Sequence, residues 1–293
     1  MRAPPFVTRF APSPTGRLHR GHAFSAITAF EAAQRAGGQF LLRIEDIDTG
    51  RCRPAFEQAI YDDLTWLGLS WPAPVRRQSE HLGEYRSAVE ALRDRGLLYR
   101  CFRTRSQILA DIARAPHGGE SAFTGAPLPR DEEEALVAQG QPYAWRLNLA
   151  KARRQLEGFK NLGFTEESVG FVPLRPDLAG DIVLARKDLG VAYHLAVVLD
   201  DAVQGVTHVI RGADLFEATH SQRILQSLLG LPTPIYRHHP LVLREDGKRF
   251  AKRDTAETLG DLRARGWTAA DVRARLGFDA AIGPRKGAEG SQL

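Results

Sequence analysis

Apolar and polar positions alternate along the first fifty residues in a pattern that predicts a strand, a helix and a second strand. The run FVTRF (6–10) is short and β-prone, and the prolines and glycine of APSPTGR (11–17) end it. Apolar residues then recur at helical spacing from 22 to 35, and Gly37-Gly38 ends this helix before FLLRIED (40–46) resumes extended structure. The pattern is typical of a β-α-β unit.

Three later segments carry weaker patterns of the same kinds. DEEEALVAQG (131–140) predicts a helix with acids in its first turn and a glycine stop, and YAWRLNL (143–149) predicts a strand. The stretch from 255 to 278 predicts two short helices. Its apolar anchors are Leu259, Leu262 and Trp267. The alternation predicts an α/β fold with a Rossmann-like, doubly wound parallel sheet and a short helical tail.

The composition narrows the class of protein. With 293 residues, of which 43% are hydrophobic, the chain can bury a full core. Lys and Arg outnumber Asp and Glu by 40 to 35, and the resulting pI near 9.4 favours a polyanionic partner. Only Cys52 and Cys101 are cysteines, and neither a leader nor a long apolar run is present. We therefore expect a reduced, cytoplasmic protein that does not enter a membrane.

His19 and His22 flank a glycine where the first turn becomes the helix. In β-α-β units anions collect at this turn, because free backbone N–H groups and the helix dipole point there. Residues three apart share a helix face, so both imidazoles can lean toward a bound phosphate. The alternative is two surface histidines beside a loop. The residues that favour the phosphate site are Arg9, Ser13, Thr15, Gly16 and Gly21.

The segment RFAPSPTGRLHRGHA (9–23) resembles the His-x-Gly-His signature of the glutamyl-tRNA synthetase branch of the class I aminoacyl-tRNA synthetases. The resemblance continues in order over most of the chain. The further matching segments are LLRIEDIDTGR (41–51), LTWLGLSW (64–71), YHLAVVLDD (193–201), GVTHVIRGADL (205–215) and GKRFAKRD (247–254). Such a series is far more specific than the short signature alone. It implies a class I catalytic domain that activates glutamate with ATP.

The resemblance also implies a glutamate pocket. Free glutamate has two carboxylates and one ammonium, so its pocket needs two cations and one acid. Arg9 and Arg211 would each bind a carboxylate, Glu45 the ammonium, and the Tyr193 hydroxyl would complete the contacts. The implied set is Arg9, Ala11, Pro12, Ser13, Glu45, Tyr193 and Arg211. The alternatives are a surface salt bridge for Glu45, with Arg43 or Arg51, and ordinary packing for Tyr193.

A second class I signature, a lysine-rich loop, matches residues 249–253. By resemblance, Lys252 stabilises the charge that develops as pyrophosphate leaves ATP, and this makes His19, His22 and Lys252 the catalytic residues. Ala251 stands where the family usually has serine, so one hydroxyl contact is missing. The alternative is a solvated basic turn. The implied ATP-binding residues are His19, Gly21, His22, Arg249 and Lys252. Mg²⁺ should accompany ATP, held mainly by phosphates and water.

One feature of the family is missing. Relatives often hold zinc with a Cys-x-Cys pair, a tyrosine and a further cysteine, whereas here Cys101 is followed by Phe102 and Arg103. One thiolate with His117 cannot complete a tetrahedral site, so we expect no zinc. The same region is basic and could bind RNA phosphates, with a solvated surface as the alternative. Its arginines are Arg95, Arg100, Arg103 and Arg105.

The length of the chain suggests a branch of the family. Full glutamyl-tRNA synthetases carry an anticodon-binding region well beyond the lysine loop, and here only a short tail follows Arg253. The chain thus resembles the truncated paralogues, the glutamyl-queuosine tRNA(Asp) synthetases, which transfer glutamate to queuosine in the anticodon loop of tRNA(Asp). That family activates glutamate without tRNA, whereas the full-length branch needs bound tRNA. A minimal glutamyl-tRNA synthetase and a degenerate binder of tRNA or ATP are the alternatives.

The implied domain organisation interrupts the catalytic domain with a small α+β insertion. We expect a first catalytic half (1–97), the acceptor-binding-like insertion (98–180), a second catalytic half with the lysine loop (181–258) and a helical tail (259–293). We expect a monomer whose partners are L-glutamate, ATP and tRNA.

Overall fold

A computed structural model describes residues 5–104, 106–108, 123–186, 190–242 and 257–279. The helices whose limits lie within these ranges are α1 (Arg20–Arg35), α2 (Pro54–Trp66), α3 (Leu82–Asp94), α4 (Arg130–Ala138), α5 (Leu149–Gln155), α6 (Pro176–Ala179), α7 (Tyr193–Val203), α8 (Ala218–Leu229), α9 (Leu259–Ala264) and α10 (Ala269–Arg275). The strands are β1 (Val7–Phe10), β2 (Gln39–Ile44), β3 (Arg76–Arg77), β4 (Leu98–Cys101), β5 (Ala144–Leu147), β6 (Gly163–Glu166), β7 (Gly170–Pro173), β8 (Val183–Arg186), β9 (Gly190–Val191), β10 (His208–Gly212) and β11 (Ile235–His239). Single 3₁₀ turns lie at Gln78–His81, Glu157–Phe159 and Ala213–Leu215.

Parallel strands form the centre of the fold. β1 pairs with β2 and β2 with β3, while β10 pairs with β11, all in parallel. β1 and β10 are joined at their starts, where the Thr207 N–H donates to the Val7 carbonyl at 2.9 Å. The predicted α/β fold with a parallel sheet is confirmed. The carboxyl ends of β1 and β10 open a crevice, the usual ligand position in open α/β sheets.

The segment between β3 and β10 forms a sheet of its own, and its β6–β7 hairpin extends the sheet of β10 and β11. β4, β5, β8 and β9 form an antiparallel sheet. The β6–β7 hairpin instead joins β11, with Glu166 opposite Tyr236. The division at 98–180 stays a prediction. Two strand pairings are relevant to this boundary. Strand β8 lies beyond residue 180 but pairs with β5, and strand β6 lies before residue 180 but pairs with β11.

Helix α1 packs on the central sheet through small and branched side chains. Ala23, Ala26, Ile27 and Ala29 are fully buried there. Alanine at these positions lets the helix axis approach the strands closely. At its end, a Cβ on Gly38 would stand 2.1 Å from the Phe6 carbonyl oxygen, so only glycine fits where the chain turns back beside β1.

The predicted first strand, first helix, second strand, middle helix and middle strand are found within two residues of their expected limits, and two of the differences are informative. Helix α1 starts at Arg20 and not His22, because the His19 side chain caps it. Strand β2 ends at Ile44, because the next N–H, of Glu45, turns to the Pro12 carbonyl. The predicted tail helices are α9 and α10, and Arg273 of α10 pairs with buried Glu31 of α1. In the described part of the chain, no helix is long and apolar enough to span a membrane.

Candidate active site

A pocket of about 360 Å³ lies where the carboxyl ends of β1 and β10 meet the start of α1. The position follows from the topology, because neighbouring parallel strands deliver their last residues to one edge of the sheet. Basic, acidic and imidazole side chains share this pocket. Its lining residues are Arg9, Phe10, Ala11, His19, Gly21, His22, Ser25, Glu45, Tyr193, Ile210, Arg211, Gly212, Asp214, Leu215, His239, Leu241 and Val242.

His19 and His22 form a reciprocal cap at the start of α1. Nδ1 of His19 accepts the Gly21 N–H at 3.1 Å, and Nδ1 of His22 accepts the His19 N–H at 3.2 Å. The rings stack with centroids 3.7 Å apart. Because Nδ1 accepts in both neutral rings, Nε2 carries the proton in both. The cap therefore fixes two imidazole N–H donors at the positive end of the helix dipole, a suitable site for phosphate.

Glycine leaves room for the capping ring between these histidines. A Cβ on Gly21 would stand 3.0 Å from Cε1 of His19. A larger residue would therefore crowd the His19 ring, which would have to shift by a few tenths of an ångström. The His-x-Gly-His pattern thus has a local structural cause as well as a chemical one.

Asp201 holds two arginines beside the pocket. Its Oδ1 accepts from Nε of Arg9 at 3.0 Å and from Nη1 of Arg43 at 2.7 Å. Burial raises the pKa of the Asp201 carboxyl, but Arg9 and Arg43 outweigh it and hold this pKa below its usual range. Asp201 therefore stays ionised and fixes the Arg9 guanidinium at the pocket wall.

Glu45 is the buried acid of the pocket, 7% exposed. Its Oε1 accepts from Nη2 of Arg43 at 3.2 Å. Burial raises the pKa of Glu45, and Arg43 and Arg9 offset this only in part. A cationic ligand group beside Glu45 would lower this pKa and favour the ionised carboxylate. The salt bridge with Arg43 that was considered from the sequence is present, but it is buried and does not lie at the surface.

A second buried aspartate, Asp200, contacts Arg43 and further residues of this charge cluster. Oδ1 of Asp200 accepts from Nε of Arg76 at 2.8 Å and from the Tyr85 hydroxyl at 2.7 Å. Its Oδ2 accepts from the Gln78 amide at 2.8 Å and lies 3.6 Å from Nε of Arg43. Helix α7 thus contributes two consecutive buried carboxylates, which hold Arg9 and Arg43 on the neighbouring strands.

Arg211 is a buried guanidinium whose direct hydrogen-bond partners are neutral. Its Nε donates to Nε2 of His238 at 3.2 Å, and its Nη2 donates to Oγ1 of Thr219 at 2.8 Å and to the Leu215 carbonyl at 3.2 Å. The residue is 6% exposed and lines the pocket. Buried cations are normally paired, so this one favours an anionic ligand.

Tyr193 and His194 begin α7 at the pocket edge. Burial raises the pKa of the Tyr193 hydroxyl above its usual value, so it stays a neutral donor. Burial, with Arg211 nearby, lowers the pKa of His194 to about 4. The His194 ring is therefore neutral near pH 7 and adds no positive charge.

The structure brings most of the sequence-predicted site residues together. Those that line the pocket are Arg9, Ala11, His19, Gly21, His22, Glu45, Tyr193 and Arg211. Pro12 and Ser13 are not among the lining residues: Pro12 is buried and accepts from the Glu45 N–H through its carbonyl. Arg249 and Lys252 lie outside the described residues.

Both ends of the segment that carries Lys252 are attached at this site. Leu241 and Val242 line the pocket before it. After it, Thr258 bridges to His19, and the Leu259 N–H donates to the Leu18 carbonyl at 2.8 Å. The chain therefore leaves and returns next to the paired histidines.

Sequence reasoning missed the residues that position the pocket. Asp201, Thr219 and His238 were not recognised as site residues, since their roles depend on partners distant in sequence. A weak signal was available in YHLAVVLDD, where two acids end an otherwise apolar helix. Such a helix face must give buried acids a cationic partner.

The region expected to lack zinc contains Cys101, which is buried at the end of β4. Within the described ranges, no group of three or more potential ligands could hold a metal ion. His117 and Arg105 lie outside those ranges. Two of the arginines that were expected to bind RNA make contacts within the protein. Arg95 donates to the Leu228 carbonyl, and Arg100 pairs with Glu133.

Residues 5–275 match the family model described as tRNA synthetases class I (E and Q), catalytic domain. The chain belongs to this family. It is 48% identical to the glutamyl-Q tRNA(Asp) synthetase of Rhodobacter capsulatus, over 93% of this chain and 100% of that protein. It is also 37% identical to a glutamate-tRNA ligase of a Synechococcus species, over 89% of this chain but only 55% of the ligase.

A solved member of the family has the same fold. The crystal structure of a glutamate tRNA ligase from Elizabethkingia meningosepticum, in complex with its amino acid, has a TM-score of 0.68 and 28% identity. The match covers 89% of this chain and 53% of that one. The pocket described above therefore lies in a class I synthetase catalytic domain.

Proposed function

We propose that this chain activates L-glutamate with ATP and transfers the glutamyl group to the queuosine base in the anticodon loop of tRNA(Asp). The observation that carries the proposal is the charge arrangement of the pocket. Two buried guanidiniums, of Arg9 and Arg211, and one buried carboxylate, of Glu45, surround a space next to two imidazole donors. This set complements two carboxylates, one ammonium and a neighbouring phosphate.

Glutamate is bound by one guanidinium on each carboxylate. By resemblance to the family, Arg9 is assigned to the side-chain carboxylate. It lines the pocket, and its Nε donates to Asp201. Glu45 takes the ammonium, and the neutral Tyr193 hydroxyl completes the contacts. Glutamine would place a neutral amide against Arg9 in place of a carboxylate, and the loss of this charge-assisted contact disfavours its binding.

ATP is bound at the start of α1. The Nε2–H groups of His19 and His22 donate to its phosphates, beside Gly21, and Mg²⁺ accompanies the triphosphate. By resemblance to the family, Arg249 and Lys252 add positive charge to the same triphosphate. Ala251 removes one hydroxyl contact, which places more of the charge stabilisation on Lys252.

The first reaction joins the two substrates. An oxygen of the glutamate α-carboxylate attacks the α-phosphorus in line, the bond to the bridging oxygen breaks, and pyrophosphate leaves. The histidine donors and the loop cations stabilise the charge that builds on the phosphoryl oxygens. No side chain becomes a covalent nucleophile.

The second reaction transfers the activated acyl group. A hydroxyl oxygen of the queuosine cyclopentene ring attacks the anhydride carbonyl carbon and loses its proton, and AMP leaves as the ester forms. This acceptor is supported by the glutamyl-Q tRNA(Asp) synthetase at 48% identity, because the match covers the whole length of that relative. The matches to glutamate-tRNA ligases cover only about half of the length of each ligase.

A transfer assay tests the acceptor. Labelled glutamate and ATP are incubated with queuosine-containing tRNA(Asp), with the same tRNA carrying guanosine at that position, and with tRNA(Glu). We expect label only on the queuosine tRNA, in the anticodon fragment after nuclease digestion. Label at the 3′ adenosine of tRNA(Glu) would instead support the second candidate, a minimal glutamyl-tRNA synthetase, which the ligase relatives favour. Binding without any transfer would support a degenerate binder.

A further inference from the structure

A buried series of hydrogen-bonded side chains connects Arg211 in the pocket with Glu166 at the end of β6. Nε of Arg211 donates to Nε2 of His238 at 3.2 Å. Nδ1 of His238 lies 2.7 Å from Oε2 of Glu166, and Oε1 of Glu166 accepts the His238 backbone N–H at 3.0 Å. The His238 and Glu166 side chains are each 3% exposed.

The contacts fix the tautomer of His238. Its Nε2 faces the Arg211 Nε–H and must accept it, so the proton of the neutral ring is on Nδ1 and is donated to Glu166. This is the reverse of His19 and His22, whose Nδ1 atoms accept. The carboxylate of Glu166 thus keeps the His238 lone pair directed at Arg211.

We propose that Glu166, acting through His238, is a positioning residue that holds the Arg211 guanidinium in its substrate-binding orientation. The inference rests on the proposed function, in which Arg211 binds a carboxylate of glutamate. It assigns a role in the glutamate pocket to a residue within 98–180, the segment that the sequence assigns to a separate insertion.

The charges around His238 agree with this role. Arg211 faces the ring from β10, Glu166 from β6, and His239 follows it on β11, while the Tyr236 ring stacks parallel at 6.0 Å. Burial lowers the pKa of His238, and Glu166 opposes this only in part. The ring is therefore neutral near pH 7, and a second proton would place an N–H against the Arg211 N–H.

The neighbour of Glu166 supplies a matched control. Glu167 begins the turn after β6 and pairs near the surface with Arg237, whereas Glu166 is buried against His238. Replacing either glutamate by glutamine makes the same chemical change one residue apart.

The test compares E166Q, E167Q and the unchanged protein in glutamate-dependent exchange of pyrophosphate into ATP. An amide has one acceptor where the carboxylate of Glu166 uses two, so E166Q weakens the hold on His238 and Arg211. We expect E166Q to raise the KM for glutamate about tenfold, the effect of one charge-assisted hydrogen bond, with the KM for ATP nearly unchanged. E167Q should match the unchanged protein.

Two outcomes would overturn the positioning role. One is an E166Q enzyme with the same KM for glutamate as E167Q. The other is an E166Q enzyme with a lower Tm in which kcat and the KM values for glutamate and ATP all change by the same factor. That result would indicate a general structural role for Glu166. If E166Q does not fold, ¹⁵N spectra of the unchanged protein decide, with the His238 signal identified by its loss in H238Q. The Nδ1–H tautomer supports the proposal and the Nε2–H tautomer contradicts it.

If the proposed function is wrong, the experiment gives a different result than if only the positioning role is wrong. If the unchanged protein shows no exchange, calorimetric titration with glutamate follows on all three proteins. No binding to the unchanged protein refutes glutamate as the ligand. Equal binding to the unchanged protein and to E166Q refutes the positioning role alone.

Discussion

Arg211 shows how one residue combines a predictable part and an unpredictable part. The sequence identifies it, with Arg9, Glu45 and Tyr193, as a glutamate-binding candidate through resemblance, and the structure places all four at one pocket. The residues that orient it are not predictable in this way. His238 and Thr219 lie on a neighbouring strand and on the helix that follows β10, so the contacts exist only after the sheet has formed.

Replacing Arg211 by lysine tests the guanidinium geometry while the charge is kept. An ammonium cannot donate to His238 and Thr219 and also bind a carboxylate with two parallel hydrogen bonds. We expect R211K to lower kcat/KM for glutamate by between about tenfold and a hundredfold in pyrophosphate exchange. R237K, the same change at the surface pair with Glu167, should have no measurable effect. An R211K enzyme as active as R237K would contradict the assignment.

At the scale of elements, the start of α1 has two functions in the same side chains. The cap formed by His19 and His22 satisfies backbone N–H groups and also fixes the imidazole protons on Nε2. The sequence predicts the helix and the histidine pair, but not the tautomers. Those follow from which ring nitrogen reaches the backbone, and this depends on the turn geometry around Gly21.

Two substitutions of His19 separate these functions. Asparagine is a good N-cap but lacks the imidazole donor, whereas alanine lacks both. We expect H19A to lose about 1 kcal/mol of unfolding free energy in urea and H19N to lose much less. Both should lower the rate of pyrophosphate exchange about a hundredfold. An H19N enzyme with unchanged exchange would show that His19 only caps the helix.

The contact between α2 and α9 gives a prediction about pH. Asp63 of α2 is 2% exposed and lies 3.7 Å from Arg263 of α9. Burial, more than Arg263 can offset, raises the pKa of Asp63 to about 6 from its ordinary 3.8. The unfolded chain therefore releases this proton more easily, and the stability that the neutral carboxyl gives is lost as pH rises from about 4 to about 6.

Replacing Asp63 by asparagine should remove this dependence. We expect D63N to be more stable than the unchanged protein by about 1–3 kcal/mol at pH 8, with the difference shrinking as pH falls from about 6 to about 4. Urea unfolding at several pH values measures it, and D94N, at an exposed aspartate of α3, is the control. A D63N protein that is less stable at pH 8 would mean that the Arg263 pair outweighs the cost of burial.

At the scale of the whole molecule, the first strand-helix-strand unit, the helix at 131–140, the strand at 143–149 and the two tail helices were predictable, because each follows from local periodicity. The assignment of strands to sheets was less so. The β6–β7 hairpin lies within the segment 98–180 yet extends the central sheet through β11, and only this pairing brings Glu166 behind the pocket. Periodicity identifies a strand but not its neighbour, since pairing is decided by contacts between segments far apart in sequence.

Glutamate activation by the chain itself underlies both proposed reactions. The measurement is exchange of labelled pyrophosphate into ATP with purified protein free of RNA, with glutamate and, in parallel, with glutamine. We predict robust exchange with glutamate, little with glutamine, and no requirement for tRNA. Exchange that appears only with tRNA(Glu) would contradict the queuosine assignment, and no exchange under any of these conditions would contradict glutamate activation.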